Sequence, residues 1–169
     1  MRLSAERAAV RVPATTANMG PGFDSFGMAF RYYDEVEVRP VVGATHVDVK
    51  GVGAGMVPTD DTNLVVRALR VGLEVADAPQ AGFEMRCVNR IPHSAGMGSS
   101  ASAALAGLLL ARGLISEPQA LDDDTVFALA TDFEGHPDNV APAVFGGATV
   151  AWVERGGHPR MAPMPVDAS

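Results

Sequence analysis

The chain has 169 residues, 47% of them hydrophobic and 20% charged, which is typical of a folded globular protein that buries a core of its own. Its formal net charge of −7 argues against a nucleic acid or an anionic membrane held by bulk electrostatics, whereas a local nucleotide site is compatible with it. Cys87 is the single cysteine, so no disulfide can form within the chain, and a reducing, cytoplasmic location is expected.

The first fifty residues predict strands separated by one turn-rich loop. Residues 7–15 alternate well enough for a strand, which Pro13 is expected to stop. Residues 15–27 predict a loop because glycine, proline, asparagine and aspartate are concentrated there. Two further strands are predicted over residues 28–40 and 45–52, and the second is expected to pair with a neighbouring strand.

The remaining residues predict three helices and two strands. Leucine and alanine at helical spacing predict a helix over residues 60–78, capped by Thr62 or Asp61. Because strands and helices alternate irregularly, the predicted fold class is α+β. The other segments are a strand over residues 81–91, a helix from Ser99 to Arg112, a helix over residues 122–135 capped by Asp124 and its neighbours, and a strand over residues 143–154.

The domain organisation follows from where the core pattern stops. Residues 154–169 are rich in glycine and proline, and no core pattern follows Val153. We therefore predict a folded domain over residues 1–153 and a linker, or the start of a further region, over residues 154–169. The most apolar run, residues 101–111, is too short to cross a bilayer and predicts a buried helix, and no secretory leader is expected.

The segment PHSAGMGSSAS, residues 92–102, has the composition of an anion-binding loop ahead of a helix. Glycines permit positive φ and close backbone approach, a helix N-terminus offers free N–H groups, and the serines add hydroxyls. The residues alone leave three interpretations: a glycine-rich turn before a serine-capped helix, a dinucleotide fingerprint Gly96-x-Gly98-x-x-Ala101, or a phosphate loop without lysine. The fingerprint calls for a following strand, whereas residues 121–133 predict a helix, and the lysine of a Walker loop is missing after Gly98.

Two other segments concentrate polar residues around glycine and proline. In residues 13–27, Asn18 and Asp24 lie in a rigid loop beside a strand end. Carboxylates near bound phosphates suit magnesium, and an aspartate can accept a hydroxyl proton or orient an alcohol. The second segment, residues 132–147, contains Glu134, His136, Asp138 and Asn139. Turn formation and surface exposure are the alternative roles for both segments.

Taken together, three motifs resemble the homoserine kinase branch of the GHMP kinase superfamily, named for its galactose, homoserine, mevalonate and phosphomevalonate kinases. They are VPATTANMGPGFDSFGMAF, IPHSAGMGSSASAAL and FEGHPDNVAPAVFGGATVAW, and the resemblance extends from about Val10 to Trp152. The middle motif is similar to the superfamily phosphate loop P-x-x-x-G-L-G-S-S-A, with Met97 in place of leucine. The implied fold is the N-terminal domain of the superfamily, a mixed sheet with packed helices in two layers. The C-terminal domain, with which family members add a glycine-rich motif and an arginine, is expected to be absent.

The resemblance also implies roles for individual residues. Asn63 would approach the adenine, Ser100 and Glu134 would bind Mg²⁺, and Arg90 is expected to be a surface arginine. L-Homoserine would contact Asn18, Asp24, His136, Asp138 and Asn139. Of these, Asn18, His136 and Asp138 are the candidate catalytic residues, with Asp138 as a base or a substrate-orienting group. The phosphates of ATP would be held by Pro92, Ser94, Ala95, Gly96, Met97, Gly98, Ser99, Ser100 and Ala101.

The activity that the resemblance implies is that of an ATP:L-homoserine O-phosphotransferase, which uses ATP and Mg²⁺ and yields O-phospho-L-homoserine on the route to threonine. A nucleotide-binding fragment that lacks catalysis is one alternative, and a related kinase with another alcohol substrate is a second. The expected partners are the small-molecule substrate and a second copy in a homodimer, with neither nucleic acid nor membrane.

Overall fold

The sheet is arranged around one long strand. The computed structural model describes residues 1–20 and 22–166, in which β2 (Phe26–Val41) pairs with three other strands. One side of β2 pairs with β1 (Ala8–Ala17), and the other side pairs with β4 (Gly82–Asn89) and β5 (Ala148–Val153). The order β3-β4-β2-β5-β6 is completed by β3 (His46–Gly51), parallel to β4, and β6 (Pro159–Met164), antiparallel to β5.

The helices cover one face of this sheet, so that the α+β prediction with two layers is confirmed. The helices at Leu64–Val75 and Ser99–Leu114 pack side by side, and the second of them also contacts β1 and the helix at Asp123–Glu134. None of the helices within residues 1–20 and 22–166 is long and apolar enough to cross a membrane. They are α1 (Leu64–Val75), α2 (Ser99–Leu114), α3 (Asp123–Glu134) and α4 (Val140–Phe145), with a 3-10 turn at Pro118–Leu121.

The second half of β2 has the alternation of a sheet with one covered face. Val36 and Val38 are buried under the helices, whereas Glu37 and Arg39 point to solvent. Arg39 is paired on this outer face with Glu84 of β4, with 2.6 Å between Nη2 and Oε2. Exposed ion pairs of this kind contribute only about 0.2–1 kcal/mol. Burial of the inner face is therefore the stronger constraint on the register.

Two boundaries in the first half differ from the prediction. The strand β1 does not stop at Pro13 but continues to Ala17, through a register irregularity between Pro13 and Thr15. Proline is tolerated there because β1 pairs on one side only, and a missing N–H is harmless on a free edge. The helix predicted over residues 60–78 is capped neither by Thr62 nor by Asp61. Its cap is Asn63, whose Oδ1 accepts the Val65 N–H at 3.0 Å.

The last fifty residues contain two elements that sequence patterns missed. The predicted strand over residues 143–154 begins only at Ala148, because the short helix α4 occupies Val140–Phe145 and ends before Gly146. A further strand, β6, follows Val153, where no core pattern was found. Its two prolines are acceptable in a strand that, among the described residues, lies outermost in the sheet and pairs with β5. The interpretation of residues 154–169 as a linker stays a prediction, and residues 167–169 lie outside the described part of the chain.

Gly107 sets the distance between α1 and α2. A Cβ atom at this position would lie 2.3 Å from the Val65 carbonyl oxygen and 2.6 Å from the Ala68 Cβ. Only a hydrogen fits there, so the backbones of the two helices approach more closely than any side chain would allow. Since α2 also carries the loop that precedes it, this contact helps to fix the position of that loop.

We predict that Gly107→Ala lowers the free energy of unfolding by about 2 kcal/mol or more, because the extra methyl collides with backbone atoms of α1. Urea unfolding followed by circular dichroism measures this change. The matched control is Gly113→Ala at an exposed position near the C-terminal end of the same helix, where the new Cβ meets only the Ala8 methyl at 3.0 Å. Its effect should lie between no change and a gain of about 1 kcal/mol, because alanine has a higher helix propensity than glycine. Equal losses in the two variants would contradict the proposed role of Gly107.

Candidate active site

The segment 92–102 forms a concave loop at the N-terminus of α2. Ser94, Gly96 and Gly98 have φ values of 56°, 70° and 65°, so the chain turns repeatedly through the left-handed region. Gly98 is the N-cap of α2 and no side chain caps the helix there, which makes the interpretation as a serine-capped helix wrong. The first intrahelical bond is donated by the Ser102 N–H to the Gly98 oxygen at 2.9 Å. The preceding N–H groups at the positive end of this 16-residue helix have no hydrogen-bond partner among the described residues, so they are available to bind an anion.

The dinucleotide fingerprint is also excluded by the fold. In a dinucleotide-binding unit the helix leads into a second parallel strand. Here α2 is followed by the 3-10 turn and by α3. The phosphate loop without lysine is therefore the interpretation that the architecture favours.

Thr15 joins the three polar segments, although no sequence pattern marked it as a site residue. Its N–H donates to the Met97 oxygen at 3.1 Å, and its hydroxyl donates to Asn139 Oδ1 at 2.9 Å. Gly98 passes so close that a Cβ there would lie 2.1 Å from Thr15 Oγ1. Thr15 is completely buried. The end of β1, the phosphate loop and the start of α4 are thus fixed to one another at this residue.

Ser100 and Glu134, the predicted metal-binding pair, are in contact. The Ser100 hydroxyl donates to Glu134 Oε1 at 2.5 Å, which joins the first turn of α2 to the last residue of α3. Gly135 ends α3 in the left-handed conformation and turns the chain towards the next polar residues. Within residues 1–20 and 22–166, no group of three or more His, Cys, Asp or Glu side chains is placed to hold a metal ion. This pair alone would be an incomplete coordination sphere.

Asp138 is the most unusual carboxylate of the site. Its side chain is fully buried, and Oδ1 is shared by the His136 Nδ1, at 2.5 Å, and by the Asn139 N–H, at 2.8 Å. The other oxygen, Oδ2, has no hydrogen-bond partner among the described residues. A buried polar atom without a partner costs about 1–3 kcal/mol, so its presence points to a ligand that satisfies it.

The loop after β1 brings Asn18 and Asp24 to the same end of the sheet. Both residues have positive φ, 60° and 51°, and Asn18 Oδ1 accepts the Asp24 N–H at 2.8 Å. Ala17 and Gly27, which flank the loop, are paired in the sheet. Gly27 in turn packs against the Asp138 carbonyl, since a Cβ on it would lie 1.9 Å from that oxygen. Pro21 in this loop lies outside the described residues.

A cavity of about 210 Å³ opens beside the phosphate loop. Asn63 lies at its edge, but both ends of its amide are used, since Nδ2 donates to the Pro58 oxygen at 2.7 Å and Oδ1 caps α1. The predicted contact of Asn63 with adenine therefore stays a prediction, and its observed role is to order the cavity wall. The lining includes the apolar side chains of Val12, Val36, Val49, Val57 and Val65, together with Ser99 and Ser100.

Two buried titratable groups, Asp34 and Cys87, also line this cavity. Asp34 Oδ1 accepts the N–H groups of Arg90, at 2.5 Å, and Ile91, at 2.9 Å, and so anchors the chain where it enters the phosphate loop. Burial raises the pKa of the Asp34 carboxyl, against the lowering effect of these two bonds. Burial also raises the pKa of the Cys87 thiol to about 12, so the thiol is protonated at neutral pH. The anchoring role of Asp34 was not foreseen from the sequence, where it is one acid among several in β2.

These features define a domain of known type. The family described as GHMP kinases N terminal domain matches residues 63–147, and the chain belongs to this family. The match covers α1, the phosphate loop and the segment with Glu134 and Asp138.

The relatives that share about 50% identity with the chain are homoserine kinases. The chain is similar to a homoserine kinase of Clavibacter michiganensis subsp. michiganensis, with 52% identity over 160 residues that cover 92% of this chain and 50% of that protein. Among solved structures, the homoserine kinase of Cytophaga hutchinsonii superimposes with a TM-score of 0.76 at 27% identity, over 97% of this chain and 53% of the other. The mevalonate kinase of L. major shares the fold, with a TM-score of 0.70 at 17% identity, over 95% of this chain and 54% of the other. The chain spans about half the length of the curated relatives it matches.

We predict that Gly98→Ala is much more destabilising than Gly96→Ala. Both glycines have positive φ, which costs an alanine about 1–2 kcal/mol. At Gly96 a Cβ would meet nothing within 4 Å, whereas at Gly98 it would collide with Thr15 Oγ1. The difference in unfolding free energy between the variants should be at least about 1–3 kcal/mol, measured by chemical unfolding. Equal losses would show that Thr15 yields without cost and is not the fixed point of the site.

Proposed function

We propose that this chain provides the nucleotide-binding and alcohol-binding part of an ATP-dependent kinase that transfers a phosphoryl group to the hydroxyl of L-homoserine. The observation that carries the proposal is the uncapped N-terminus of α2 behind Gly98, with the Ser100–Glu134 pair at its edge. The similarity to homoserine kinases at about 50% identity supports the choice of substrate.

The residues present suit ATP. A cavity of about 210 Å³ is smaller than the range of about 300–1,000 Å³ typical for whole drug-sized ligands, so it would take the base and leave the phosphates outside. The phosphates would then reach the free N–H groups that begin α2, where the partial charge of the helix favours anions. Ser94, Gly96 and Gly98 would let the loop backbone follow the phosphate oxygens.

The donor set also suits Mg²⁺ carried by a nucleotide. One hydroxyl and one carboxylate, from Ser100 and Glu134, are few ligands, but magnesium at such sites takes its other ligands from phosphates and water. These two residues would hold the ion at the phosphates, and the ion would supply charge neutralisation for phosphoryl transfer. The 2.5 Å hydrogen bond between them keeps both oxygen atoms at one place in the absence of the ion.

The substrate hydroxyl would be received by Asp138. Its Oδ1 is held by His136 and by the Asn139 N–H, so the free Oδ2 keeps a fixed direction. A carboxylate oxygen in this position can accept the hydrogen of an alcohol and orient the oxygen for attack, or take up its proton. Asn18 and Asp24, in the loop at the same end of the sheet, would bind the polar groups of the amino acid.

The test is the melting temperature of the purified chain with MgADP, with L-homoserine and with both, together with an assay of ADP release from MgATP. We expect MgADP to raise the melting temperature, since a ligand at 100 times its Kd stabilises by about 2.7 kcal/mol. Adenosine, which lacks phosphates, should give a smaller rise. L-Homoserine should raise the melting temperature further and increase ADP release.

Other outcomes separate the alternatives. A rise with MgADP and homoserine without turnover would indicate a binding fragment, a result that the half-length match to the relatives makes a specific alternative. ADP release with mevalonate but not with homoserine would indicate a different alcohol, which the shared fold with mevalonate kinase allows. The absence of any rise with MgADP would contradict the proposal.

Asp138→Asn should remove the response to L-homoserine and keep the response to MgADP. The amide oxygen can replace Oδ1 in its bonds to His136 and to the Asn139 N–H, so the substitution acts mainly on the free oxygen. Where turnover is measurable, we expect a loss of about 100-fold or more. The matched control is Asp132→Asn, an exposed carboxylate on α3, which should leave both responses unchanged. An undiminished homoserine response in Asp138→Asn would remove Asp138 from the proposed substrate site.

A further inference from the structure

His93 of the phosphate loop lies at the cavity that we assign to the nucleotide. It lines the cavity together with Ser99 and Ser100 at the start of α2. Its exposed ring packs against the glycine-rich loop that follows β3, so closely that a Cβ on Gly53 would lie 2.5 Å from Cε1 and 3.2 Å from Nδ1. Val57 and Pro58 of the same loop form part of the cavity wall. The imidazole is therefore held between two loops at the edge of the cavity.

Few of the side chains that line this cavity can carry a charge. Among the described residues that line the cavity there is no lysine or arginine, and the titratable side chains are Asp34, Cys87 and His93. Asp34, from β2, is close enough to His93 that a positive charge on the imidazole lowers the pKa of the Asp34 carboxyl. Cys87 and Asn89 of β4, the serines of α2, and the Asn63, Leu64 and Val65 side chains around the start of α1 complete the surroundings without a charge. His93 is thus the cavity-lining group that can become positive.

Arg90, the nearest arginine in the sequence, does not serve this purpose. Its Nη1 lies 3.2 Å from Glu35 Oε1 and 3.3 Å from the Tyr33 oxygen, and Glu35 is one of the residues that alternate outward along β2. Arg90 does not line the cavity. A surface role for Arg90 agrees with this placement.

We infer that His93 is a nucleotide-binding residue that supplies the positive charge which a lysine supplies in Walker-type phosphate loops. This inference rests on the proposed function, because it takes a phosphorylated nucleotide as the ligand. A protonated imidazole donates from both ring nitrogens, and its charge-assisted hydrogen bond to a phosphate oxygen is worth about tenfold in affinity. The imidazole carries this charge only while it is protonated, so the affinity for phosphates is expected to fall as the pH rises.

The experiment is calorimetric titration of the whole chain with MgADP, and separately with adenosine, between pH 6 and pH 8.5. The variants are His93→Gln, which keeps hydrogen bonding without a charge, and His93→Lys, which keeps the charge at every pH tested. His46→Gln, on an exposed position of the edge strand β3, is the matched control. The titration of ADP itself near pH 6 is common to all four proteins and cancels in the comparison.

For the wild type and His46→Gln we expect MgADP binding to weaken by about tenfold from pH 6 to pH 8.5, beyond any change seen in His93→Gln. His93→Gln should bind weakly throughout, and His93→Lys should restore tight binding at pH 8.5. Adenosine affinity should change less than MgADP affinity and should not depend on the charge of residue 93, because adenosine carries no phosphate.

A pH profile of His93→Gln that parallels the wild type would overturn the inference while leaving nucleotide binding, and hence the proposed function, intact. Equal losses of adenosine and MgADP affinity in His93→Gln and His93→Lys would also overturn it, since they would indicate a packing role. If the wild-type chain binds neither ligand, the inference and the proposed nucleotide site fail together.

Discussion

The arrangement of the site depends on one buried hydroxyl. Thr15 receives the phosphate loop at its backbone N–H and holds Asn139 with its side chain, while Gly98 lies against it with no room for a Cβ. Three segments meet there, and the two outer ones are separated by 124 residues along the chain. Because a buried donor that loses its acceptor costs about 1–3 kcal/mol, these contacts resist separation, and the segments keep a fixed geometry without a bound ligand.

The site around Thr15 contains two kinds of polar group, which differ in whether they have a hydrogen-bond partner. The N–H groups at the start of α2 and the Oδ2 atom of Asp138 have no partner among the described residues, whereas the side chains of Ser100 and Glu134 satisfy one another. The first kind is suited to an anion and to a hydroxyl donor, respectively. The second kind can exchange its mutual hydrogen bond for a metal ion. A phosphorylated nucleotide, magnesium and an alcohol together would satisfy all of them, which is why these observations support phosphoryl transfer jointly.

The sequence was informative where chemistry depends on local order. Glycines, serines and the helix that follows them are adjacent in the chain, so the anion-binding character of residues 92–102 could be predicted from local rules. The elements β2 to β4 and α1 to α3 also followed from hydrophobic periodicity, to within a few residues at their ends. The predictions were wrong where contacts with distant residues determine the end of an element. The strand β1 continues beyond Pro13, because Pro13 lies on a free edge of the sheet.

The sequence by itself determined the class of the fold, the position of the glycine-rich loop before α2 and the residue types available for the site, because periodicity and glycine content act over neighbouring residues. Only the tertiary structure decided which of those residues act together. It paired Ser100 with Glu134, left Asp138 Oδ2 free, and brought out Thr15 and Asp34, which no local pattern marks. The physical reason is that burial and hydrogen-bond satisfaction depend on atoms contributed by distant segments, and these are set only when the sheet and its helices have packed.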